Sequence, residues 1–136
     1  MMKTQSLQKF TLEYSFNASP RMLYAMLGTY DGLNVWFADK VTLVKNVFHF
    51  FWNNTEYTAE ITQKKEFELL HYTWIDGESD KYFEFRIKTD SLNNETTLLI
   101  TDFAFEDDRK EAEMSWDYSI KKLLRAMGSK LSSINT

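Results

Sequence analysis

Between residue 39 and about residue 105 the chain is written almost entirely in period two, broken at short intervals by turn residues. Few folds accept that pattern. "KVTLVK" meets Lys45-Asn46, "VFHFFW" meets Asn53-Asn54, and "EYTAEITQKK" follows. "FELLHYTWI" then reaches "DGESDK", "YFEFRIKT" reaches "DSLNN", and "ETTLLITDFAF" ends the run. Strands joined by turns this short pair with their neighbours in sequence, because a parallel pair needs a crossover of about a dozen residues. An antiparallel meander of about six strands is predicted.

Residues 8 to 17 alternate in the same way, with Phe10, Leu12, Tyr14 and Phe16 on one face and Lys9, Thr11, Glu13 and Ser15 on the other. The period then changes. In "NASPRMLYAMLG", Ser19 precedes Pro20 as an N-cap precedes a first-turn proline, Met22, Leu23, Met26 and Leu27 make an apolar face, and Gly28 stands at the C-cap. "TYDGLNVWFAD" predicts a second short helix through Leu33, Trp36 and Phe37, with Asp31-Gly32 supplying a bend. The chain closes on a long helix with an apolar stripe of Ala112, Trp116, Ile120, Leu123, Leu124 and Met127. Asp108 and Glu111 have capping-box spacing at its start, and Lys121, Lys122 and Arg125 lie toward its end, as the helix dipole favours. The class expected is α+β, a single domain over residues 1–136.

The chain has 136 residues and no cysteine, which excludes disulfides and thiolate chemistry and fits a cytoplasmic location. Its net charge of -4 argues against nucleic acid as a partner. "MMKTQSLQKF" has no apolar leader, and no stretch approaches the roughly 18 apolar residues of a membrane span. Aromatics are the unusual feature: 11 Phe, 7 Tyr and 4 Trp oversupply a core this small. A cavity or an interface would use the excess.

The order of strand, two short helices, meander and long helix resembles the helix-grip fold of the START-like (SRPBCC, birch-pollen-allergen-like) superfamily. Its most specific stretch is "ASPRMLYAMLGTYDGLNVWFAD", where Ser19-Pro20 and Leu33, Trp36, Phe37 are similar to the chaperone ATPase activator branch. The stretch "NVFHFFWNN" departs from those relatives, which carry glycines there. The resemblance implies a curved antiparallel sheet of about six or seven strands wrapped on the C-terminal helix. It also implies a cavity between them for an apolar small molecule or lipid, with no shared catalytic set. On that basis the cavity candidates are Trp36, Phe37, Tyr57, Ile61, His71, Phe83, Phe85, Trp116, Ile120 and Leu123, with Tyr57 and His71 as the polar groups. A solid interior is the competing expectation, since the same residues would fill a core.

Chemistry is thinly represented. His49 and His71 lack metal-ligand spacing, no phosphate-binding glycine loop or nucleophile elbow is present, and no cofactor or metal is expected. Asp76, Glu78 and Asp80 alternate as calcium ligands do, but the rest of a calcium loop is missing, and a solvated turn is the expectation. Glu84 and Arg86 are expected on the solvent side. Asn53-Asn54-Thr55 and Asn94-Glu95-Thr96 read as turns. In "VFHFFW", an inward set of Phe48, Phe50 and Trp52 leaves Val47, His49 and Phe51 as an apolar outer strip, the candidate homodimer contact. Three functions follow: a non-enzymatic binder of an apolar molecule, a chaperone-associated or oligomeric interaction domain, and a cofactor-free cyclase-like enzyme.

Overall fold

The computed structural model describes residues 6–76, 81–90, 92 and 95–128. Strand β1 (Leu7–Phe16) leads into α1 (Pro20–Gly28) and α2 (Tyr30–Trp36). Then come β2 (Lys40–Val44), β3 (Val47–Trp52), β4 (Thr55–Lys65), β5 (Leu69–Trp74), β6 (Tyr82–Asp90) and β7 (Glu95–Phe105). A 3-10 turn, Glu106–Asp108, opens α3 (Arg109–Ala126). The strands form one seven-stranded sheet in the order β1-β7-β6-β5-β4-β3-β2, antiparallel at every pairing. This is the α+β helix-grip architecture, a curved sheet with the long helix across its concave side.

Two turns set the register of the meander. Lys45 and Asn46 have φ of 50° and 69°, and Asn53 and Asn54 have 50° and 67°. Two successive left-handed residues make the hairpin turn whose twist matches the flanking strands, and asparagine tolerates that region best after glycine. Their spacing places Phe48 and Phe50 inside, opposite Ala59 and Tyr57 of β4. A bulge between Ile61 and Gln63 shifts the β4 to β5 register and adds bend to the sheet.

The helices are tied to one another by side chains at their ends. Met22 N–H donates to Ser19 Oγ at 3.2 Å, so the N-cap forms as its sequence predicts. Thr29, not Gly28, ends α1: its hydroxyl donates to Ala25 O at 2.8 Å and accepts the Gly32 N–H at 3.0 Å, capping α2 as well. Gly32 supplies no bend. It lies inside α2, where an added Cβ would sit 2.6 Å from Ala25 O and 2.7 Å from Met26 Cα. The glycine lets α1 and α2 touch backbone to backbone. Gly32→Ala is expected to cost about 1–3 kcal/mol by overpacking, seen as a lower denaturant midpoint at unchanged slope. An unchanged midpoint would mean that the two helices part freely.

At α3 the capping-box expectation fails. Asp108 has helical backbone angles and makes no capping bond with its side chain, because the 3-10 turn has already carried the chain into helical geometry. Trp116, Ile120, Leu123 and Leu124 nevertheless bury the predicted stripe. They close a core whose largest fully buried side chains include Trp36, Tyr72, Phe16, Phe50, Phe83 and Phe85. Among the described residues no helix is long and apolar enough to cross a membrane.

Candidate functional site

The site is built around an acid in an apolar phase. On β7, Leu98 and Ile100 point into the core, and period two carries Asp102 inward beside them, opposite Phe10 of β1. Asp102 Oδ2 accepts the Trp116 indole N–H at 2.8 Å, and Oδ1 accepts the Phe103 backbone N–H at 2.8 Å. A cleft of about 170 Å³ lies against this carboxyl, walled by Phe37, Trp52, Trp74, Phe83 and Trp116, with Ser115 and Ser119 of α3 along one side. Three of the four tryptophans therefore meet at one place.

Local structure fixes the walls. Asn34 receives the Val41 N–H at 2.8 Å and donates to Val41 O at 2.6 Å, holding α2 against β2. The Trp36 indole N–H donates to Met26 O at 2.9 Å, holding α2 against α1. Phe37, the residue that ends α2, is thereby set over the sheet, and its carbonyl accepts the Trp52 indole N–H at 3.1 Å. Its ring lies 5.3 Å from Trp52, 5.3 Å from Phe83 and 5.7 Å from Trp116, centroid to centroid. Trp74 and Phe83 are 5.0 Å apart. These stacked, edge and tilted contacts restrict how each ring can turn.

Among the expected cavity residues, Phe37, Phe83 and Trp116 do line the cleft. Trp36, Phe85, Ile120 and Leu123 are buried in the solid part of the core. Tyr57, 43 % exposed, stands beside the cleft with its ring against Trp52 and Trp74. Ile61 packs on the core elsewhere. His71 faces the other way. On β5 the inward residues are Leu70, Tyr72 and Trp74, so His71 lies on the outer face, 2.9 Å from Glu84 of β6 and with its ring tilted against Tyr82. Phe67, which strict alternation through "FELLHYTWI" would put in phase with His71, is not in a strand: it occupies a turn at φ 65°, under Arg21 and against Tyr24.

Trp52, Trp74, Asp102, Ser115 and Ser119 were not among the expected site residues. Asp102 carried a signal, a carboxylate in phase with Leu98 and Ile100 in "LLITDFAF". The outer strip has the predicted phase, with Val47, His49 and Phe51 half-buried on the convex face. His49 pairs with Glu56 and Lys40 lies over the Phe51 ring. Glu84 and Arg86 lie on the outer face, 3.5 Å apart, with Arg86 exposed and Glu84 largely covered. Of the calcium-like trio, Asp76 accepts the Thr58 N–H at 2.9 Å, while Glu78 and Asp80 lie outside the described residues, as does Asn94. Among the described residues no group of acids and histidines is arranged to hold a metal.

Burial pushes the Asp102 carboxyl above the ordinary aspartate value, opposed in part by the Trp116 and Phe103 N–H groups. The folded state therefore holds this proton more tightly than the unfolded chain does. Its contribution to stability is fully present below the ordinary value of about 3.9 and is lost as pH rises through the raised one. Measured against Asp102→Asn by denaturation at a series of pH values, the wild type is expected to lose relative stability as pH rises from about 3.9. A difference that is flat or grows with pH would contradict the assigned environment. Burial likewise raises the hydroxyls of Tyr72, which donates to Leu27 O at 2.6 Å, and Tyr14, which donates to Asp117.

Solved structures share this architecture. A Bacteroides fragilis protein determined by solution NMR is 30 % identical, covers 93 % of this chain and 94 % of its own, and superposes with a TM-score of 0.65. The Aha1 dimer from Colwellia psychrerythraea, 17 % identical, covers 85 % and 92 % with a TM-score of 0.73. A Mesorhizobium loti protein, also 17 % identical, covers 89 % and 97 % at 0.72. No curated protein matches the chain. The family model of the START-like superfamily domain matches residues 4–129, and with the fold and its concave-side cleft in place, the chain belongs to the START-like superfamily.

Proposed function

We propose that the cleft between α3 and the sheet binds a small, largely apolar organic molecule, without chemistry. The observation that carries this reading is the lining itself, three tryptophans and two phenylalanines around one carboxyl and two hydroxyls. Ligand sites have that composition: apolar walls that supply affinity and a few polar groups that fix orientation. Size narrows the class. A cavity of about 150 Å³ holds benzene, whereas drug-sized ligands occupy about 300–1,000 Å³. The cleft of about 170 Å³ thus favours a single ring or a short branched chain over a lipid tail. Among the described residues Asp102 is the one titratable side chain of the lining, which favours binding over a proton-transfer cycle that needs a second group.

Calorimetric titration of the full chain with benzyl alcohol and cyclohexanol tests the reading. Saturable binding of either, abolished when Ser119→Leu fills the cleft, supports it. Failure of the wild type to bind these alcohols or any other small organic probe would overturn it.

A second reading rests on the outer face. Val47, His49 and Phe51, with Val44 54 % exposed at the end of β2, form an apolar strip suited to a second copy of the chain. The Colwellia relative is described as a dimer. Sedimentation at micromolar concentration is expected to give a dimer that Phe51→Glu dissociates; a wild-type monomer would contradict it.

A further inference from the structure

We propose that the occupant of this cleft carries a compact alkylammonium charge, held between the aromatic walls and Asp102; the inference rests on the reading of the cleft as a ligand site. The first ground is the walls. An aromatic face carries negative quadrupole charge and attracts a cation within about 6 Å of its centroid, tryptophan most strongly. Trp52, Trp74 and Trp116, with Phe37 and Phe83, bound a space of only about 170 Å³, so a cation there lies close to several rings at once.

The second ground is the unbalanced charge. Among the described residues Asp102 is the only ionisable group of the lining, and each of its oxygens has one N–H donor. Among the described residues no lysine, arginine or histidine forms an ion pair with it. A partly buried carboxylate without a counter-charge is unfavourable, and sealing it under a neutral apolar ligand makes it more so. An alkylammonium ion removes that cost, while an anion adds to it. Ser115 and Ser119 then face the rest of the ligand with hydroxyls that donate to or accept from an alcohol or carbonyl.

The test compares choline with 3,3-dimethylbutan-1-ol, its uncharged isostere, by calorimetry on the full chain, with benzyl alcohol and vesicles of phosphatidylcholine alone as further probes. Choline is expected to bind at least tenfold more tightly than the isostere, and Asp102→Asn to collapse that ratio toward one. Vesicle binding without free choline binding would place the same charge on a lipid headgroup. Equal affinities, or a tighter isostere, would overturn the inference. Binding of benzyl alcohol without choline or vesicles would overturn it too, yet leave the cleft a ligand site, whereas silence from every probe would remove both. The wild-type comparison needs no variant, so a poorly folding Asp102→Asn does not weaken it.

Discussion

Replacing Phe37 with alanine is expected to lower the unfolding free energy by about 3–5 kcal/mol and to join the cleft to the core. Phe37 is 6 % exposed, and its ring touches six others, from Phe50 at 5.0 Å to Phe85 at 6.4 Å. Rings pinned in that way do not collapse into the space it leaves. A loss of this size is a large share of the 5–15 kcal/mol that holds a typical domain together, and denaturant midpoints will show it. The enlarged cleft is expected to weaken binding of benzyl alcohol and admit bulkier alcohols. Unchanged stability with unchanged selectivity would mean that Phe37 is not the wall between cleft and core.

Trp36→Ala is expected to cost a similar 3–5 kcal/mol, with a different consequence for the site. Its side chain is fully buried, and its N–H holds Met26 O at the junction of α1 and α2. It does not line the cleft. The molecules that remain folded should therefore keep the wild-type preference among probes, while Phe37→Ala changes it. Should Trp36→Ala fail to fold, Trp36→Phe asks the same question, since it keeps a ring but leaves a helix carbonyl without its donor. A Trp36 variant as stable as the wild type would contradict the packing described for α2.

Several of these features were legible in the sequence, for identifiable reasons. Asn46 and Asn53-Asn54 announce their turns because asparagine is among the few residues that accept left-handed backbone, and the turns then set the phase of "VFHFFW". "FELLHYTWI" misleads because both phases are apolar: Phe67, Leu69 and Ile75 against Leu70, Tyr72 and Trp74. Alternation alone cannot choose between such sets, and a one-residue error puts His71 in the core rather than beside Glu84. Backbone contact between two helices leaves no local pattern, so nothing in "TYDGLN" separates the role of Gly32 from that of a bend. An acid in a strand is ordinarily outward, and only its register with Leu98 and Ile100 marks Asp102 as interior.

The four tryptophans offer a direct test, because Trp52, Trp74 and Trp116 line the cleft and Trp36 does not. Their indole N–H resonances can be followed in a ¹H–¹⁵N spectrum of the full chain during titration with benzyl alcohol and with choline. Binding in the cleft requires that the first three move together and saturate while the Trp36 signal stays in place. Four stationary signals, or four that drift without saturation, would contradict a ligand site at Asp102.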